Sequence, residues 1–340
     1  MMKKVLWALA VLIGLTAPDL ALAQDTKEIA IVSTGGPGSG NSILTNIVKT
    51  ALRKVGRPST VHDLPGAGGR VALKTIALAP ADGYTIGVLG DGNTMVLVPA
   101  DEIAGESLLG GRLKPIMTIG DTYLELVARK SLLTEPSFEN FLKEGKRRNK
   151  AKEKNLQCGW YGPNGGLAMA VLAGYMAEVE AEIHLILYQD AGFLMLSLER
   201  GEVDCIVVAV SSTLLSMAER AVPVLGTFGQ RKDPFLPSSR LLAELGCAPC
   251  GNITAGYGVF GPKDMSSQTV ALLRGLIGEA LKDEEAKALL KLNGVDPRTS
   301  TLEDYTKEVE KRSDNTKRFL CETRINLSER KNPFANCPAK

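Results

Sequence analysis

Histidine is nearly missing from this chain: 340 residues contain two, His62 and His184, each inside a short strand-like stretch. So small a supply leaves little for a histidine general base or a multi-histidine metal site. Neither a G-x-S-x-G elbow nor an H-E-x-x-H pair occurs, which removes the best-marked routes to serine and zinc hydrolysis. An excess of one charge is lacking too. Forty Lys and Arg stand against 38 Asp and Glu, a balance that offers no field for a nucleic-acid backbone. Past the first two dozen residues, no apolar run approaches the ~20 residues needed to span a bilayer.

What is present starts with MMKKVLWALAVLIGLTAPDLALAQ. Lys3 and Lys4, the apolar centre from Val5 to Leu15 and the small residues Ala21-Leu22-Ala23 have the form of a signal peptide, over residues 1–23, cleaved after about Ala23. Pro18 and Asp19 break the apolar run, which is too short for an anchor. The reading is an exported, periplasmic protein long enough for two domains. All six cysteines follow the leader: Cys158, Cys205, Cys247, Cys250, Cys321 and Cys337. An even count in an exported chain favours disulfides. Cys321 with Cys337 would tie down the C-terminal tail, and Cys247 with Cys250 would staple a loop. Cys158 and Cys205 lie in apolar strand-like segments, where a bond and two buried thiols both remain open.

Residues 64–89, LPGAGGRVALKTIALAPADGYTIGVL, carry the strongest local signal. A glycine-rich turn opens a helix that stops at Pro80, and a tight turn then leads into a strand from Tyr84 to Leu89. This is half of a parallel α/β unit. Glycines at a helix N-terminus let unpaired N–H groups approach an anion. Similar turns are TGGPGSGNS, ahead of a helix over 43–55, and YGPNGG, ahead of a helix over 167–179. Further strands are expected at 28–32, 60–63, 113–119, 123–128, 156–160, 184–188, 203–210, 222–228 and 255–260. The basic run Lys143 to Lys154 reads as a solvated helix end and connector.

Two enzyme-like patterns fail on inspection. Gly35 to Ser42 matches a P-loop except that Asn41 replaces the lysine that neutralises terminal phosphates. Gly66-Ala67-Gly68-Gly69 is a poor dinucleotide fingerprint, because Val71 stands where the last glycine belongs.

In order along the chain, IVSTGGPGSGNS, Pro65 to Gly69 with Ala79 to Thr85, WYGPNGGLAMAVLAG, LYQDAG, RGEVD and AGYGVFGPKDMSS resemble the patterns of the substrate-binding proteins of tripartite tricarboxylate transporters, the TctC or Bug family. The resemblance covers roughly residues 28–320 and implies an α/β fold. That fold is a two-lobed, type II-like periplasmic binding protein, each lobe a mostly parallel sheet flanked by helices, with a cleft between lobes. Residues 24–128 plus 255–340 would form one lobe and 129–254 the other. The implied function is capture of a small organic acid by lobe closure and delivery to integral membrane transporter subunits. The protein would act as a monomer, with no cofactor, metal or covalent chemistry. A ligand sensor without transport, or a secreted hydrolase, is the alternative.

The matching positions place Thr34, Gly35, Gly36, Gly38, Ser39, Asn41, Gly66, Asp91, Trp160, Tyr161, Gly162, Asn164, Gly165, Asp190 and Ala191 at the ligand. There are departures from the family pattern. Asn41 stands for an aspartate, keeping a cap-type hydrogen bond without the charge. Thr34 stands for a phenylalanine, and the third loop lacks the family's serine and histidine and gains Trp160 and Tyr161. Asp91 and Asp190 fall where Gly or Ser is common. If both faced the cleft they would repel a dianion and favour an amine, hydroxyl or protonated acid.

Overall fold

The structure is a computed structural model describing residues 27–105, 111–219, 221–323 and 336–337. The signal peptide expected over 1–23 lies outside the described residues. The chain begins with β1 (Ile29–Ser33), α1 (Gly40–Lys54), β2 (Ser59–Asp63), α2 (Arg70–Ala77), β3 (Thr85–Gly90), α3 (Val98–Ile103) and β4 (Leu113–Thr122). It continues with β5 (Leu124–Ala128), α4 (Phe138–Ala151), β6 (Leu156–Tyr161), α5 (Gly162–Glu178), β7 (Ile183–Tyr188), α6 (Ala191–Glu199), β8 (Cys205–Ala209), α7 (Ser212–Glu219) and β9 (Val224–Thr227). It ends with β10 (Ala255–Pro262), α8 (Ser267–Ala280), α9 (Glu284–Leu292), β11 (Asp296–Pro297) and α10 (Leu302–Thr323).

The strands form two sheets, ordered β11-β4-β10-β3-β1-β2 and β7-β6-β8-β5-β9. Both are mixed rather than mostly parallel. β1 is parallel to β2 and β3, and β6 to β7 and β8. β10 runs against β3 and β4, and β5 against β8 and β9. In each sheet a reversed strand is the one the chain enters on crossing from the other sheet. The first crossing falls at Tyr123, so Leu124–Ala128, assigned above to the first lobe, belongs to the second sheet. Residues 113–128 form an almost continuous apolar β-stretch, and periodicity alone cannot say where such a stretch changes sheets.

Helices are capped as their sequences suggest. Ser137, Ser266 and Asp283 side chains accept from the N–H three residues on, at the starts of α4, α8 and α9. The first lobe packs Val48 and Leu52 of α1 and Ile277 of α8 against Ile31, Ile86 and Val259. The second packs Phe141, Met169 and Leu172 against Leu126, Leu156 and Val207. All six cysteines pair, as Cys158–Cys205, Cys247–Cys250 and Cys321–Cys337. The first bond joins register partners on β6 and β8, which settles the alternative left open above.

The basic run is part of α4 and is not wholly solvated. Arg148 reaches inward to Asp204 at 2.9 Å, and Arg129 binds the same carboxylate at 2.9 Å. Burial opposes that charge, but the Gln157 N–H and the two guanidiniums outweigh it and hold the Asp204 carboxyl below its ordinary range.

Glu125 is fully buried on β5, accepting from Ser239 Oγ at 3.0 Å. Burial, reinforced by nearby Asp233, pushes its carboxyl up to about 8. Between its ordinary value of 4.5 and about 8 the folded chain keeps a proton that the unfolded chain has released. Stability therefore falls as pH rises through that window and is lowest above it. Thermal unfolding from about pH 5 to about 9 should show the melting temperature declining in the parent chain but nearly level in Glu125→Gln. An equal slope in both would assign the proton to another group.

Candidate functional site

The candidate turns follow the C-terminal ends of β1, β2, β3, β6 and β7, the edge at which α/β sheets bind ligands. After β1, the chain turns through Gly38 (φ 82°) into α1. The N-cap of α1 is Ser39, whose Oγ accepts from Ser42 N at 3.3 Å. Asn41, expected to supply that cap bond, lies one residue inside the helix. Its Nδ2 instead donates to Thr34 Oγ1, and its Oδ1 is buried without a partner in the protein. Gly35 lies beneath the Ser39 side chain, and Gly36 approaches Pro65 of the next turn.

Thr34 is a junction. Its Oγ1 donates to Asn93 Oδ1 at 3.2 Å, and Asn93 Nδ2 donates to the Gly68 carbonyl at 3.2 Å. The turns after β1, before α2 and after β3 are thus tied by one asparagine. The approach needs glycine: a Cβ at Gly69 (φ 103°) would stand 2.5 Å from Asn93 Nδ2 and 3.3 Å from Thr34 Cβ. Gly66 (φ 130°) also has a backbone that other residues rarely adopt. Asn93 was not among the sequence candidates. The only local clue is its place in Gly90-Asp91-Gly92-Asn93, just past a buried strand.

Asp91 does not face the cleft as a free carboxylate. It is buried, 4% exposed, and paired with Arg312 of α10. Burial pushes its carboxyl up and the Arg312 guanidinium opposes that shift. Next to it, Gly92 is where the lobes meet: a Cβ there would stand 3.0 Å from Asn164 N and 3.2 Å from Asn164 Cγ. A π-helical turn, Gly92–Leu97, carries the chain on from this contact.

In the second lobe α5 starts at Gly162, five residues before the start expected at Leu167. The glycine-rich turn is therefore the first turn of the helix itself, with the amides of Gly162 and Asn164 among its orphan donors. Periodicity misses this turn because it carries no apolar side chain. Trp160 lies against it, its Cζ3 2.7 Å from where a Gly166 Cβ would be, and packs on the second-lobe core. Tyr161 is 40% exposed, and the partial burial of its ring, together with the Asp190 charge, raises its phenol. Asp190 caps α6, accepting from Phe193 N at 2.9 Å, and Ala191 is the first residue of that helix. Asp91 is thus met by a guanidinium, whereas Asp190 keeps its charge at the start of α6. Tyr257 of β10 joins the group unannounced by the sequence: its ring lies beside Gly90, and burial, Tyr161 and Asp91 raise its phenol to about 12.

Two cavities open between the lobes. One, about 230 Å³, is lined by Asp91 and Asn164 with Arg312 and Phe319 of α10. The other, about 300 Å³, surrounds Asp121, Tyr123 and Arg231 at the crossing. Of the sequence candidates, only Asp91 and Asn164 line them. His62 and His184 are exposed on the edge strands β2 and β7. Among the described residues no cluster of His, Cys, Asp or Glu could hold a metal, and no helix is long and apolar enough to cross a membrane.

A family model described as the tripartite tricarboxylate transporter family receptor matches residues 43–325. The protein BugT of Bordetella pertussis is 23% identical over 296 residues, covering 85% of this chain and 86% of BugT. A UPF0065 protein from the tcbD-tcbE intergenic region of a Pseudomonas species is 23% identical over 330 residues, 95% of this chain and 94% of that one. Among solved structures, a Rhodopseudomonas palustris protein with adipate superimposes with a TM-score of 0.74 at 18% identity, covering 89% of this chain and 99% of that one. MatC of the same organism, with bound malate, gives 0.71 at 18% identity, over 86% and 98%.

Gly69→Ala should lower unfolding stability by roughly 1–3 kcal/mol, because the substitution meets both an unfavourable φ and the Asn93 side chain. Urea denaturation measures this. A neutral result would mean that the three turns are not held by close approach.

Proposed function

The chain belongs to the tripartite tricarboxylate transporter receptor family, and from that premise we propose that it is a periplasmic receptor gripping a small organic acid between its lobes. The family consists of receptors rather than enzymes. The contact of Gly92 with Asn164 is the observation that carries the reading. It sets the turn after β3, which Asn93 ties to the turn ahead of α1, against the amide-rich start of α5 in the other lobe.

Each helix start offers unpaired N–H groups and the positive end of a dipole, and the two together can hold a carboxylate without an arginine. Thr34, Gly35, Gly36, Gly38, Ser39, Asn41 and Gly66 would supply the first-lobe wall. Trp160, Tyr161, Gly162, Asn164, Gly165, Asp190 and Ala191 would supply the second. Donors from both lobes converge on the solute only when the cleft shuts, so binding stabilises closure. The structural relatives solved with adipate and malate support a carboxylate as the ligand class. After export the receptor hands its solute, as a monomer, to integral membrane subunits.

Trp160 is the only tryptophan outside the expected signal peptide, which holds Trp7. Titration with adipate, malate, citrate and a set of amino acids should change its emission for a carboxylate and not for the amino acids. Asn93→Ala should weaken that binding about tenfold, the worth of one lost anchoring hydrogen bond. No emission change and no thermal stabilisation by any carboxylate would overturn the reading. Stabilisation with flat emission would move Trp160 out of the site.

A further inference from the structure

Asp91 ends a run of alternating charges. Arg312 pairs with Asp91 through Nη1 and with Glu308 through Nη2. Glu308 accepts both of its remaining contacts from Arg298 Nη2, at 2.7 and 2.8 Å. Arg298 Nε donates to Asp121 Oδ1 at 2.7 Å, and Asp121 Oδ2 pairs with Arg231 at 2.5 Å. Arg231 follows β9 and so comes from the second lobe, where it also donates to Tyr123 OH at 3.2 Å. The run thus starts at the crossing between lobes and finishes directly beneath the turn after β3. Gly256 of β10 makes room for it: a Cβ there would stand 3.2 Å from Asp91 Oδ2 and 3.5 Å from Asp121 Oδ1.

We propose that Arg312 is a positioning residue of the solute site, fixing the turn after β3 through Asp91 and tying that turn to the lobe crossing. This rests on the receptor reading for its functional meaning, though not for its geometry. Asp121 and Glu308 each answer to two guanidiniums, whereas Asp91 has one. Without Arg312 the buried carboxylate is uncompensated, and it must draw in water or take up a proton. Asn93 lies two residues along, so movement of Asp91 loosens its hold on Thr34 and Gly68. The charged and titratable groups facing Asp91 are Arg312, Glu308 and Tyr305 of α10, Arg298 ahead of that helix, Asp121 of β4 and Tyr257 of β10. A proton on Asp91 would therefore substitute for the lost guanidinium.

The test is amide hydrogen exchange on the unliganded full chain, read as protection factors so that intrinsic pH effects cancel. Arg312→Met should lower protection about tenfold across 90–97, 34–41 and 64–69 at about pH 8, and regain most of it at about pH 5. Arg312→Met with Asp91→Asn should be protected at both pH values, because the neutral amide needs no counter-charge. Arg231→Gln should lower protection at 90–97 by a smaller factor, through the run. A double variant as loose as the single one, or loosening that ignores pH, would overturn the assignment. Solute affinity is scored separately. If no carboxylate binds the parent chain, the receptor reading fails while the exchange result stands. If a carboxylate binds the parent and Arg312→Met equally, the positioning role fails while the receptor reading stands.

Discussion

Asn93 holds together three turns at the C-terminal edge of the first lobe's sheet. One carboxamide serves three chain turns, accepting from Thr34 with its oxygen and donating to Gly68 with its nitrogen. It can do so because Gly69 presents no side chain where the amide must pass. An amide suits the position, since it pairs a donor and an acceptor in one uncharged group. The glycines that looked like an anion cradle in the sequence thus have a second duty: they bring backbones close enough for a single side chain to lock them. Both duties follow from the same missing Cβ.

Charge inside this molecule is managed by alternation rather than avoided. Asp204 is met by Arg129, Arg148 and a backbone amide, and Asp91 and Asp121 by the guanidiniums of the run described above. Glu125 is faced by Thr227, Ser239 and Asp233 rather than by a cation, and so holds its proton. A buried carboxylate with a guanidinium fixes two elements relative to each other; one without a guanidinium behaves as a neutral hydrogen-bonding group. The first kind joins α4 to the strands of the second lobe and α10 to the ligand edge of the first. The second kind lies on β5, immediately after the chain has crossed lobes.

The order of elements was largely legible, because buried strands such as IAIVS and CIVVA and the apolar face of α1 follow simple periods. Positions of the glycine turns were legible too, as each stands between such elements. What escaped was everything that depends on a partner distant in sequence. Asp91 and Asp190 looked alike, as carboxylates in ligand-side loops. One is bound by an arginine 221 residues away and the other caps its own helix. Tyr257 carried no local mark of joining Tyr161 and Asp91, and the early start of α5 was hidden by a first turn made of Gly, Pro and Asn.

By itself, then, the amino-acid order determined the α/β class, the oxidised state expected of its cysteines, the glycine-rich helix starts and the family pattern. All of these are written in neighbouring residues through periodicity, spacing and the conformations that glycine and proline allow. Only the tertiary structure decided which strands reverse, that the first crossing falls at Tyr123, that Cys158 pairs with Cys205, and that Arg312 answers Asp91. These are contacts between segments far apart along the chain. Which far segment arrives is set by the packing of whole sheets and helices, and no local pattern encodes it.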